Sequence, residues 1–129
     1  MTGLAPEGGA LQRAASLMLS TPRASTGRPV WMEVWFAWSE GALHFLAHAR
    51  DDGRGTAWYR HLVTAGGTRA RVGGLTYVVR HDPFPPGIDA LALVLELFEA
   101  KYGPAAVRQW YRPTARIPVR ARLVGTAES

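Results

Sequence analysis

Apolar positions along this chain switch several times between a period near 3.6 and a period of two, and the switches predict its elements. Leu11, Ala14, Ala15, Met18 and Leu19 recur at helical spacing and predict a short amphipathic helix, after a small, polar stretch over residues 1–8 that is expected to fray. Residues 20–29 carry Pro, Ser, Thr, Gly, Arg23 and Arg28 and read as a basic loop. Residues 30–38 alternate Met32, Val34, Phe36 and Trp38 against Trp31, Glu33, Trp35 and Ala37, a strand covered on both faces, with Glu33 expected in an ion pair with a barrel arginine. After a turn at 39–42, residues 43–49 return as a second strand, completing a first hairpin.

The second half repeats the logic. Thr56 caps a predicted helix to about Thr64 in which Trp58 and Leu62, and likewise Tyr59 and Val63, lie four apart, and Gly66-Gly67 stops it. Residues 68–72 and 75–80 form a second hairpin around Gly73-Gly74, with Arg69 and Arg71 on one face and Ala70 and Val72 on the other. The Pro-rich run 82–87 hands over to a helix at 88–102 with Leu91, Val94, Leu95 and Phe98 as its buried stripe, ended by Gly103 and Pro104. A shorter helix at 104–111 and a strand at 117–124 close the domain. The order α, ββ, α, ββ, αα, β favours an α+β, mainly β domain: an antiparallel barrel with helices packed on it rather than a parallel doubly wound sheet.

Composition narrows this picture a little. At 129 residues and 14.1 kDa one domain is expected, over 9–124, with short flexible ends at 1–8 and 125–129. There is no cysteine, so neither disulfides nor thiolate metal sites hold the fold. No apolar run reaches bilayer length, so no membrane association is expected and the cytoplasm is the default compartment. Of 15 cationic residues all but Lys101 are Arg, and the net charge of +5 suits acidic partners in general without choosing among them.

Placement of those charges is more informative. A helix entrance offers unpaired N–H groups and a partial positive charge, so Arg50 and Arg54 just upstream of Thr56 make it a seat for a phosphate. Trp58 and Tyr59 beside it suit a flat ring, although for Trp58 core packing is the better reading. His44 and His48 lie about 13 Å apart on one strand face, too far to share a metal, so no metal site is expected, and His48 at the strand end is a candidate hydrogen-bond donor.

In sequence order these pieces resemble the deazaflavin-dependent nitroreductase family, relatives of the pyridoxamine 5'-phosphate oxidase-like split β-barrels that bind FMN. The resemblance covers roughly residues 18–124. Arg23-Ala24-Ser25-Thr26-Gly27-Arg28 is similar to that family's basic loop before the first strand, Trp58-Tyr59-Arg60-His61-Leu62 to its Trp-Tyr helix, Arg69–Gly74 to its Val-x-x-Gly turn, and Arg116-Ile117-Pro118-Val119 to the start of its last strand. The chain departs where the family has Ser-Lys-Gly, with His48-Ala49-Arg50, where it has Asn, with His61, and where it has Asn-Pro, with Ala65-Gly66.

The resemblance implies an antiparallel split β-barrel and a deazaflavin coenzyme or FMN held by Arg50, Arg54, Thr56, Trp58, Tyr59, His48, Arg23 and Arg28. Tyr102, Trp110 and Tyr111 would line a substrate pocket. It implies a homodimeric oxidoreductase passing hydride to a small organic acceptor such as a nitroaromatic, quinone or enone, with no catalytic residue assigned. No nucleophile or acid–base pair stands out in the sequence, which fits chemistry carried by a cofactor. The alternative is a non-catalytic split-barrel protein that binds a cofactor or ligand, or serves as a dimeric structural module. A basic nucleic-acid-binding barrel ranks last, because no stacking aromatic is expected on the face of Arg69 and Arg71.

Overall fold

The computed structural model describes residues 4–22, 26–48, 57–65, 67–110 and 116–127. Helix α1 (Leu4–Arg13) leads into strands β1 (Leu17–Pro22), β2 (Pro29–Val34), β3 (Ala37–Ser39) and β4 (Ala42–His48). Then come α2 (Ala57–Ala65), the hairpin β5 (Thr68–Val72) and β6 (Leu75–His81), helices α3 (Ala90–Tyr102) and α4 (Pro104–Trp110), and the long strand β7 (Arg116–Ala127). The seven strands form one sheet in the order β2-β1-β5-β6-β7-β4-β3, antiparallel throughout.

The two edge strands, β2 and β3, are consecutive in the chain and are joined by only Trp35 and Phe36. A sheet whose opposite edges are tied by two residues must curl on itself, and with no ladder between β2 and β3 it remains a split barrel. Its interior is one apolar cluster: Leu17 and Leu19 of β1, Leu43, Phe45 and Ala47 of β4, Tyr77 and Val79 of β6, and Val119 and Ala121 of β7. Leu11 of α1 and Trp58 and Leu62 of α2 plug it. Because β4 also buries its outer face, a second cluster joins Ala37 and Leu46 to Val94 and Phe98 of α3 and Val107 of α4.

Three expectations from the sequence are corrected. Residues 17–19 are strand, not helix: Leu17, Leu19 and Thr21 are buried alternately, the period of a strand paired on both sides, and the ladder from Leu17↔Val34 to Pro22↔Pro29 outweighs the helical spacing. The single strand expected at 30–38 is two strands on opposite edges, so only its last two residues, Ala37 and Trp38, pair with β4, and β2, with Met32 and Glu33 exposed, is not covered on both faces. Among the described residues Glu33 accepts a hydrogen bond from Ser16 Oγ (2.7 Å) in place of an ion pair. Beyond these, α1 and β7 reach into segments expected to be loose.

The other elements follow their local chemistry. Gly73 and Gly74, with φ of 56° and 84°, make the tight turn between β5 and β6. Asp89 caps α3 by accepting from the Ala92 N–H (3.0 Å), and Gly103 ends it, its N–H on Glu99 O (2.9 Å). The connector before α3 is clamped to β7: Asp82 pairs with Arg120 (3.1 Å) and Arg122 (2.6 Å), while the Arg120 guanidinium lies over the Phe84 ring.

Candidate functional site

Strand polarity sorts the loops. Because neighbouring strands run antiparallel, the ends of β1, β4 and β6 and the starts of β2, β5 and β7 fall on one rim of the barrel. That rim holds Pro22 and Pro29, which bound the basic loop, and His48 and Arg116, which face each other across the β4–β7 ladder. The segment that follows His48 begins there, and the one that precedes Arg116 ends there. Arg28, exposed, stands at the same rim, with its backbone N–H on Thr26 Oγ1 (3.2 Å).

Arg23, Arg50, Arg54, Thr56 and Tyr111 lie outside the described residues, and so does the side chain of Trp110. Trp58 is buried in the interior cluster, tilted on Phe45 at 5.5 Å between ring centroids, with Tyr59 edge-on to it at 6.4 Å and half-buried. Trp58 therefore fixes where α2 begins, while Tyr59 is the ring of the pair that retains exposed surface. His48 is half-buried, and desolvation lowers its pKa from the usual value of 6.5, so at neutral pH its imidazole is uncharged and able both to donate and to accept.

Arg116 was not singled out by the sequence as a ligand. Its Nε is buried and has no hydrogen-bond partner among the described residues, an orphan donor on a charged group. Such a group is costly to leave unpaired unless an anion meets it. The signal available in the sequence was position: an arginine opening the strand that pairs with the end of β4 must stand beside His48.

Tyr102 goes elsewhere. Its ring stacks on Trp35 at 4.2 Å and packs on Phe98, and its hydroxyl accepts from the Phe36 N–H (3.1 Å) while facing Ala15 O (2.6 Å) and Phe36 O (3.0 Å). Those partners flank the start of β1 and the end of β2, so Tyr102 fastens the rim opposite to His48 and Arg116. Burial raises its pKa, which keeps the hydroxyl protonated. Further along the wall His44 is buried, its Nδ1 without a hydrogen-bond partner among the described residues; burial foremost, and the Arg120 charge, lower its pKa. Among the described residues no cluster of three metal-ligating side chains exists, and no helix is long and apolar enough to cross a membrane.

One premise about the basic face fails. The Arg71 guanidinium lies 4.1 Å from the centroid of the Trp31 ring, so an aromatic does share the face of Arg69 and Arg71. β2 pairs with β1 rather than β4, and β1 pairs with β5, which brings Trp31 within reach of Arg71 across one strand.

No protein-family model matches the sequence, and no curated protein does. Solved structures do match. A FAD-binding protein from Mesorhizobium loti superimposes with a TM-score of 0.65 at 14% identity, over 98% of this chain and 92% of that one. An F420 reductase gives 0.60 at 21% identity, over 94% and 95%. The chain has the split-barrel flavin-binding fold. A third split barrel, HutZ, a heme storage protein from Vibrio cholerae, matches with a TM-score of 0.61 at 15% identity over 99% of this chain and 93% of that one. At these identities the likeness concerns the split barrel itself and not its ligand.

Proposed function

We propose that the chain binds a flavin-type cofactor, a deazaflavin coenzyme or FMN, at the rim marked by His48 and Arg116, and uses it as a small reductase. The observation that carries this reading is the buried, unpartnered Nε of Arg116 beside His48, on the rim that also carries Arg28 and bounds the segments containing Arg23, Arg50, Arg54 and Thr56. A guanidinium whose Nε has no acceptor among the described residues suits a phosphate or another oxyanion, and the neutral imidazole of His48 suits a polar edge of a ring system. Tyr59 supplies apolar surface next to the start of α2. Bound there, the reduced cofactor would supply the hydride, and water the proton, that together reduce a nitroaromatic, quinone or enone. Tyr102 holds the opposite rim, leaving Trp110 and Tyr111 as the aromatics proposed for the acceptor side.

The likeness to an F420 reductase and a FAD-binding protein supports this class of ligand. We also propose a homodimer, with the cofactor between two subunits; sedimentation over a range of concentrations reads it, and a strictly monomeric species refutes it. The deciding experiment is titration of the purified chain with FMN and with the deazaflavin, followed by absorbance and fluorescence, and then turnover of the reduced cofactor with an acceptor panel. Saturable binding with oxidation of the cofactor on adding acceptor is expected. No spectral change with either cofactor ends the proposal.

A second reading is binding without turnover, in which the departures at His48 and His61 mark lost chemistry. It is favoured by the heme storage protein, which superimposes with a TM-score of 0.61, beside 0.60 for the reductase. Tight binding with no turnover across the panel selects it.

A further inference from the structure

Lys101 is the one lysine of the chain, in a protein that otherwise meets its need for positive charge with arginine. An ammonium differs from a guanidinium in being a compact point charge that can shed its proton when desolvated. Lys101 sits in the last turn of α3 and lines a cavity of about 260 Å³ between α1, β3 and α3, together with Gln12, Ala37, Trp38, Leu97 and Ala100. This cavity is on the side of the molecule where Tyr102 fastens Phe36, away from His48 and Arg116.

The surroundings of Lys101 are those of a cation short of an anion. Its Nζ donates to Phe36 O at 2.8 Å, which uses one of three N–H donors. It lies 3.9 Å from the centroid of the Phe36 ring and 5.2 Å from that of Tyr102, both of which favour a cation. Among the described residues no carboxylate pairs with it. Burial lowers its pKa from 10.5 to about 8, and no charged neighbour contributes to that change. Tyr102 is the titratable group in contact with it, and its hydroxyl stays neutral.

The rest of the lining says what kind of anion fits. Ala37, Leu97 and Ala100 present aliphatic surface and Trp38 an indole, while Gln12 adds an amide able to donate a hydrogen bond. The space is partly open to solvent and is larger than a single inorganic ion requires. An inorganic oxyanion would leave most of that apolar surface without contacts, and a neutral hydrocarbon would leave the ammonium unpaired.

We propose that this cavity is a binding site for a small monocarboxylate with an apolar or aromatic body, its carboxylate on the Lys101 ammonium and its body against Ala37, Trp38, Leu97 and Ala100. The site is separate from the cofactor rim and does not depend on cofactor binding. A carboxylate there restores to the ammonium the solvation it lost on burial, so ligand and proton bind cooperatively.

With a single lysine, protein labelled with [13Cε]lysine gives one side-chain resonance, which makes the test direct. The full chain is titrated with benzoate, with benzamide and inorganic phosphate as controls. The expected result is a saturable shift with benzoate and a rise of about one unit in the apparent pKa read from that resonance. Weak or no response is expected from the two controls. Lys101→Met, which carries no lysine and is therefore read by calorimetric titration beside the parent, is expected to reduce benzoate affinity about tenfold, the size of one charge-assisted contact. Ala100→Phe, at an exposed position of α3, fills the cavity without touching the core; it is expected to abolish the shift and serves if Lys101→Met fails to fold. Equal binding of benzamide, a response to phosphate alone, or no shift at millimolar benzoate overturns the proposal.

Discussion

The two rims of this barrel are built on opposite terms. At the Tyr102 rim, the N–H and C=O of Phe36 are both taken, by Tyr102 and Lys101, and the tyrosine ring is wedged between Trp35 and Phe98. At the other rim Arg116 carries a buried donor with no partner among the described residues, and the ladder ends at His48. A satisfied network makes a rigid corner that holds the sheet curled; an unsatisfied one stores recognition for a molecule that is not part of the chain. On the proposed reading, the sheet is fastened at one end of these strands and the cofactor is bound at the other.

The strongest challenge to that division strikes the walls that both rims share. Phe45→Ala beneath Trp58 and Phe98→Ala under α3 each empty a fully buried site and are expected to cost about 3–5 kcal/mol in urea denaturation. Both should unfold in one transition, since β4 belongs to both clusters; two transitions would show the helix-covered layer to be a separate unit.

The rims themselves are separated by the next pair of variants. Arg116→Met is expected to weaken FMN or deazaflavin binding by about 2 kcal/mol, the loss of a charged hydrogen bond, while leaving the urea midpoint close to that of the parent. Tyr102→Phe is expected to do the reverse, costing about 1–2 kcal/mol of stability with cofactor affinity unchanged. Titration and denaturation of both proteins test the contrast, which collapses if either variant moves the other quantity more.

Acid gives the mildest test. Burial lowers the pKa values of His44, His48 and His81 below 6.5, so the unfolded chain binds more protons than the folded one as pH falls through and below that value. Stability is therefore whole above about pH 6.5 and declines beneath it. Urea midpoints across this range are expected to show that slope, and His44→Gln, which removes the most buried of the three, is expected to flatten it.

Much of the architecture was legible along the chain. The β5–β6 hairpin announced itself because two glycines can take the positive φ its turn needs, and α3 because an apolar stripe runs between a Pro-rich entry and the stop at Gly103-Pro104. Residues 17–22 were misread because Leu19 fits a helical stripe drawn from Leu11 as well as a strand face shared with Leu17 and Thr21. Nothing local tells the two apart until β2 and β5 offer hydrogen bonds. The break at Trp35-Phe36 was hidden for a related reason: β-prone residues run through it without interruption, and only the need of a curled sheet to place β2 and β3 on opposite edges divides them.

At the candidate site, Arg28 and His48 were visible as residue types in turn and strand-end positions, whereas Arg116 acquired meaning only once β7 was laid against β4. Tyr102 was grouped with Trp110 and Tyr111 by the family resemblance, but α3 carries its hydroxyl to the opposite rim. The sequence by itself determined the local elements, the mixed α+β character and the supply of arginines, because caps, turns and periodicity act over a few residues. Tertiary structure alone decided which edge each strand took, which arginine kept an Nε without an acceptor among the described residues and where the single lysine met its cavity. Those outcomes depend on hydrogen bonds and burial between residues far apart in the chain, and no short window contains both partners.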